Sequence, residues 1–131
     1  MFTYPQLREV LGVSHPTILR VARDLGVVAE RSGKGPGRPY ALTDRSALAL
    51  AFRFRLTAGF GVARELAEHF ARFIVDGESV SSWYLVKRTW PFYWELLHEP
   101  PTAEEREELD AVIPLGEVLE DCAEAIGVRP L

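Results

Sequence analysis

With one cysteine, Cys122, the chain cannot close an internal disulfide or build a metal site from several thiolates. Packing inside a helix is the reading that suits a lone thiol of this kind. Asn is absent, Gln occurs only at Gln6, and Arg greatly outnumbers Lys. No apolar run approaches the ~18 residues a membrane span needs. The first residues also lack the basic-then-apolar layout of a secretory signal, so a cytoplasmic location without a membrane partner is expected. His15, His69 and His98 are scattered, with no partner at metal-ligand spacing. There is no nucleophile elbow and no Ser/His/Asp order. Glu104, Glu105, Glu107 and Glu108 lack the apolar setting that would raise a carboxylate for acid catalysis. These absences predict a chain that is not an enzyme and holds no cofactor or metal.

What is present is a globular composition, 47% apolar, with charge distributed unevenly. Residues 1–56 carry a balance of +5 and residues 57–131 a balance of −9, within a formal net charge of −4. A basic part beside an acidic one is the pattern of a nucleic-acid face on a separate body. By its motifs the chain is expected to divide into residues 1–75, a DNA-binding part, and residues 76–131, an aromatic hairpin with a C-terminal helix serving dimerisation or an effector.

The first part is punctuated for helices. Thr3 with Gln6 makes a capping box, Pro5 falls in the first turn, and Phe2 with Leu7 makes a hydrophobic staple. Gly12 closes that short helix. Ser14 is the expected cap of the next one, Pro16 sits in its first turn, and Gly26 stops it. Leu7, Leu11, Val13, Ile18 and Val21 fall where two helices joined by a turn must meet. That leaves His15, Leu19, Arg20 and Arg23 toward the other side. Two short extended segments around G-K-G-P-G then read as a β-hairpin, with Arg31, Lys34, Arg38 and Tyr40 on or beside it. A P-loop is rejected, because the G-x-x-x-x-G-K-[ST] order followed by a helix is missing. Thr43 and Asp44 open a third helix with Leu48, Ala51, Phe52 and Leu56 on one face. A fourth runs from Val62 to Ile74 with Val62, Leu66, Phe70 and Phe73 inward, ending at Asp76-Gly77.

Residues 6–74 resemble the DNA-binding domain of the MerR family of transcriptional regulators. The resemblance rests on Gly12-Val13-Ser14 with Thr17, on Gly37-Arg38-Pro39-Tyr40, on the spacing from Tyr40 to Asp44, and on Leu56-Thr57-Ala58-Gly59-Phe60-Gly61-Val62. It covers about half the chain. Leu19-Arg20-Val21-Ala22 replaces the family's Arg-aromatic-Tyr segment, the stretch from Thr17 to Gly26 is one residue longer, and Arg8 stands where a small residue is usual. The family's long dimerising helix and sensor cysteines are not evident. The resemblance implies a winged helix-turn-helix, with Arg38 and Tyr40 matching wing residues that contact phosphates. Phage excisionases and small DNA-packaging subunits are similar too.

In the second part, Val80 to Arg88 and Phe92 to Leu97 read as two strands joined around Thr89-Trp90-Pro91. Trp83, Tyr84, Trp90, Phe92, Tyr93 and Trp94 crowd this stretch. Three readings compete: a small aromatic hairpin core, a dimer or partner interface, and a pocket for an apolar effector. Thr102 and Glu105 make another capping box, residues 103–110 read as an acidic surface helix or linker, and Leu115 to Ile126 carries a helical stripe ended by Gly127.

The expected fold class is mainly α with a small β wing: a winged helix-turn-helix followed by an aromatic β-hairpin and a C-terminal helix. The expected function is sequence-specific binding of double-stranded DNA by a homodimeric transcriptional regulator. Helix 15–25 would enter the major groove through Ser14, His15, Thr17, Arg20 and Arg23, and wing 31–40 would hold the backbone through Arg31, Lys34, Arg38 and Tyr40. Trp83, Tyr84, Trp90, Phe92 and Trp94 are the expected interface or effector residues. Two alternatives stand beside this: a phage-type architectural or DNA-packaging protein, and a protein-interaction module that binds RNA polymerase or another regulator.

Overall fold

Thr3 starts the first helix, α1 (Tyr4–Leu11), by a reciprocal capping box. Its hydroxyl accepts from the Gln6 N–H at 3.4 Å, while the Gln6 side chain accepts from the Thr3 N–H at 2.9 Å. Gly12 ends the helix in the left-handed region, φ 68°, its N–H donating to the Arg8 carbonyl. Two turns of helix are marginal alone, and the buried Leu7 is what ties α1 to the rest. A turn of three residues leads to α2 (His15–Asp24). Ser14 occupies the N-cap position, but it does not cap as expected. Its hydroxyl shares a 2.9 Å hydrogen bond with that of Thr17 instead of accepting from the helix backbone. The other end closes as the sequence predicts. Gly26 at φ 72° donates to the Arg23 carbonyl and Val27 to that of Ala22, a Schellman motif.

The computed structural model describes residues 1–31 and 40–129, Arg31 through its backbone alone. Among these are six α-helices and two small antiparallel sheets, with roughly half the chain helical. The first sheet has the order β1 (Phe2–Thr3), β3 (Tyr40–Leu42), β2 (Glu30–Arg31). Arg31 pairs with Tyr40 and Glu30 with Ala41, so the base of the expected hairpin is formed; its tip, with Lys34 and Arg38, lies outside the described residues. The sequence did not indicate β1, whose two residues pair Phe2 with Leu42 and Thr3 with Ala41.

Helix α3 (Asp44–Phe54) begins where Thr43 accepts from the Ser46 N–H at 3.2 Å. Every residue from Ala47 to Arg53 is buried, so the expectation of one inward face is corrected: α3 is enclosed on all sides. That explains its strand-like A-L-A-L-A-F spelling, because a helix surrounded by protein has no polar face to reveal the 3.6 period. It continues into a π-helical turn, Arg55–Gly59, where the Thr57 hydroxyl bonds back to the carbonyls of Arg53 (3.3 Å) and Phe54 (3.1 Å). Helix α4 (Arg64–Val75) starts two residues later than expected. Val62 is buried ahead of it, and the inward face is Ala67, Phe70, Ala71 and Ile74, with Leu66 and Phe73 half-buried at its edges.

The second sheet departs most from expectation. Its order is β5 (Trp94–Leu97), β4 (Tyr84–Arg88), β6 (Leu109–Pro114), and β6 starts at the end of the stretch read as an acidic surface helix or linker. A short helix, α5 (Ala103–Arg106), starts at the Thr102–Glu105 capping box before it. The strand expected from Val80 begins only at Tyr84, since Val80 to Trp83 form a turn closed by the Trp83 N–H on the Val80 carbonyl. Helix α6 (Leu115–Ile126) matches its expected bounds and ends at Gly127, φ 76°. Its stripe of Leu115, Val118, Leu119, Cys122 and Ile126 is buried, and the helix packs on α3, α1 and β6 within the chain. One apolar core joins Leu7 and Ile18 to Leu85, Ile113 and Leu119, crossing the boundary at residues 75 and 76.

Candidate nucleic-acid interface

Helix α2 is split cleanly by burial. Ile18, Val21 and Ala22, with Leu25 just past the helix end, are buried, whereas Ser14, His15, Pro16, Leu19, Arg20 and Arg23 are exposed and Thr17 is half-buried. Pro16, Leu19, Arg20 and Arg23 border a shallow depression of about 470 Å³ on that outer face. Neither Arg20 nor Arg23 forms an ion pair among the described residues, so both guanidinium groups can meet an anion or a base edge.

Several contacts set the pose of α2. The His15 ring stacks on Tyr4 with centroids 5.0 Å apart and planes at 18°, linking the first turn of α2 to the first turn of α1. Burial pushes the Tyr4 hydroxyl above its ordinary range. At the far end, the Arg72 guanidinium on α4 donates to the Asp24 carbonyl at 2.9 Å. It satisfies one of the orphan carbonyls of the last turn and places a cation at the negative end of the helix dipole. Neither contact is legible in the sequence: Arg72 lies 48 residues from its acceptor, and a stack between two N-terminal residues leaves no periodic trace.

Of the expected backbone-contacting residues, Tyr40 is about half exposed at the start of β3, directly across from Arg31. The Arg31 side chain, Lys34 and Arg38 lie outside what is described. The structure therefore brings Ser14, His15, Thr17, Arg20 and Arg23 onto one helix and sets the hairpin base of Arg31 and Tyr40 in the sheet that follows it.

The aromatic residues of the second part do not converge into one core or one pocket. Trp83 is half-buried, meeting Phe73 edge-on at 5.1 Å, His98 at 5.7 Å and Phe70 at 6.4 Å, so it joins α4 to the second sheet. Tyr84 is half-buried in β4, paired with Leu97 and Pro114. Trp94 faces Lys87 across the strands, the ammonium 5.7 Å from its ring centre. Trp90 and Phe92 stand at the loop between β4 and β5, 83% and 69% exposed, with rings 6.4 Å apart. Leu85, Ile113, Leu115 and Leu119, not the aromatics, fill the interior beside the sheet. No group of three or more His, Cys, Asp or Glu able to hold a metal occurs among the described residues, and no described helix is long and apolar enough to cross a membrane. Comparison with protein-family models finds no match for the chain, and comparison with curated proteins finds none either.

Proposed function

We propose that the chain is a winged helix-turn-helix of MerR-like type that binds double-stranded DNA as a homodimeric regulator of transcription. The observation that carries this reading is the division of α2. A buried apolar face fixes it to the core, and the opposite face carries His15, Arg20 and Arg23 with both arginines unpaired among the described residues. A helix held in this way fits the major groove, where Arg20 and Arg23 read guanine edges and Ser14, His15 and Thr17 lie near the entering backbone. The expected wing 31–40, with Arg31, Lys34, Arg38 and Tyr40, would follow the adjacent phosphates and set register without reading sequence. A single domain of this size reads few base pairs, which favours two copies on a two-fold site.

A second reading, a module that docks on another protein such as RNA polymerase, is favoured by the exposed Trp90 and Phe92, since aromatic side chains anchor interfaces. Selection of bound sequences from a random DNA pool separates the two. The DNA-binding reading expects an enriched site and a binding constant that falls steeply with salt. On that site Arg20→Ala costs about 1–3 kcal/mol, with a much smaller loss on random DNA. A pool that yields no enrichment, or an Arg20→Ala loss that is equal on both DNAs, removes the assignment.

A further inference from the structure

Between the end of α1, the π-helical turn and α6 lies a cavity of about 490 Å³. That volume falls within the range of about 300–1,000 Å³ usual for small-molecule sites. Leu11 and Phe54 supply half-buried apolar wall, and Ala51, Cys122 and Ile126 are its buried part. Arg55 is the one charged residue of the lining among the described residues. It is exposed and forms no ion pair among the described residues; its guanidinium rests 5.6 Å from the centre of the Phe60 ring. The π-helical turn shapes this wall. Arg55 lies across Gly59, where an added Cβ would come within 3.2 Å of its Cδ. Asp121 borders the adjoining, smaller cavity, which it shares with Arg55, and is not in the lining of this one.

We propose that this cavity binds a small monocarboxylate with an apolar body, an aliphatic or aromatic acid, its carboxylate on Arg55 and its body against Leu11, Phe54 and Ile126. A guanidinium without an anion presents a planar fork of donors that matches a carboxylate, and the walls reward an apolar remainder. A neutral alcohol offers the fork a single uncharged acceptor and an amine is repelled. A second negative charge would have to enter the apolar wall, which disfavours dicarboxylates. The Cys122 thiol, pushed up to about 11 by burial, stays neutral and adds no opposing charge. This site is distinct from the aromatic stretch where the sequence suggested an effector. Gly12 and Val13, the turn between α1 and α2, form part of the same lining. An effect of the acid on DNA affinity would follow from that placement and rests on the proposed function, whereas binding of the acid does not.

Calorimetric titration of the full chain with octanoate, octanol and octylamine tests the site. Octanoate binds saturably at one site per chain, with octanol and octylamine weaker by about tenfold or more. Arg55→Met keeps the stem and brings octanoate down to the level of octanol; Ala125→Trp, at an exposed wall position, blocks octanoate altogether. Amide shifts in the wild-type chain report the place without relying on either variant folding, and should centre on Gly12, Gly59 and Ala125. Absence of saturable octanoate binding, equal affinity for octanoate and octanol, unchanged binding by folded Arg55→Met, or shifts centred elsewhere would each overturn the proposal.

Discussion

Arg53 and Glu68 meet at 3.3 Å between α3 and α4, their side chains 6% and 9% exposed. The Arg53 Nη1 also donates to Thr57 at 3.4 Å, while its Nε has no partner among the described residues. Such a pair is costly to desolvate and costlier to break, because removing one member strands the other charge. Glu68→Ala is expected to lower stability by about 3–5 kcal/mol, and the double variant Arg53→Met/Glu68→Leu to recover most of that loss, as read by urea denaturation. Cys122 offers a test by titration. Its thiol is held near 11 in the folded chain against an ordinary 9.0, chiefly by burial. Between those values the unfolded chain releases a proton that the folded chain keeps, so this group's contribution makes stability fall as pH rises above 9. Comparing the pH dependence of wild type with that of Cys122→Ala isolates the slope, which the variant should lose. At pH 8 the buried thiol stays protonated in the folded chain, so native protein should react with thiol reagents far more slowly than unfolded protein.

At the scale of elements, α6 is held by a contact its stripe does not advertise. A Cβ built on Gly116 would stand 2.4 Å from the Ser81 carbonyl oxygen, so the turn before β4 and the first turn of α6 are pressed backbone to backbone. Gly116→Ala should therefore cost about 1–3 kcal/mol by forcing these segments apart, measured as a lowered unfolding midpoint. Legibility in the sequence followed locality. The Thr3–Gln6 and Thr102–Glu105 boxes, the Thr43 cap and the stops at Gly12, Gly26, Gly77 and Gly127 are made within six residues, and each was readable. Strand β6 was not, because L-D-A-V-I-P follows an acidic run and becomes a strand through pairing with β4, more than twenty residues earlier. Ser14 shows the converse: its type and position suit a cap, yet a hydroxyl three residues on competes for it.

For the whole molecule, the continuity of the core has the largest consequence. Helix α3 is enclosed because α6, from the acidic half, packs on it together with α4. A fragment of residues 1–75 would expose the α3 surface that α6 covers, so it should lack the dispersed amide spectrum and cooperative unfolding of the full chain. The basic and acidic halves thus differ in charge while sharing one interior. The proposed DNA-facing surface of α2 is braced from elsewhere in the chain, by Arg72 at its C-terminal end and by Tyr4 beside His15.

The sequence by itself determined where α1, α2 and α6 begin or end and which face of α2 is apolar, because caps, glycines and the 3.6 period act over a few residues. It also determined the separation of charge along the chain. Tertiary structure decided that α3 is buried all round, that a third strand completes the second sheet, that the aromatics divide between a buttress at Trp83 and an exposed loop at Trp90 and Phe92, and that a cavity opens beneath the α1–α2 turn. Each of these depends on segments far apart in the chain meeting in space, which local spacing does not encode. For α2 the two come together: the spacing supplied an exposed basic face, and packing against the rest of the chain holds it in place.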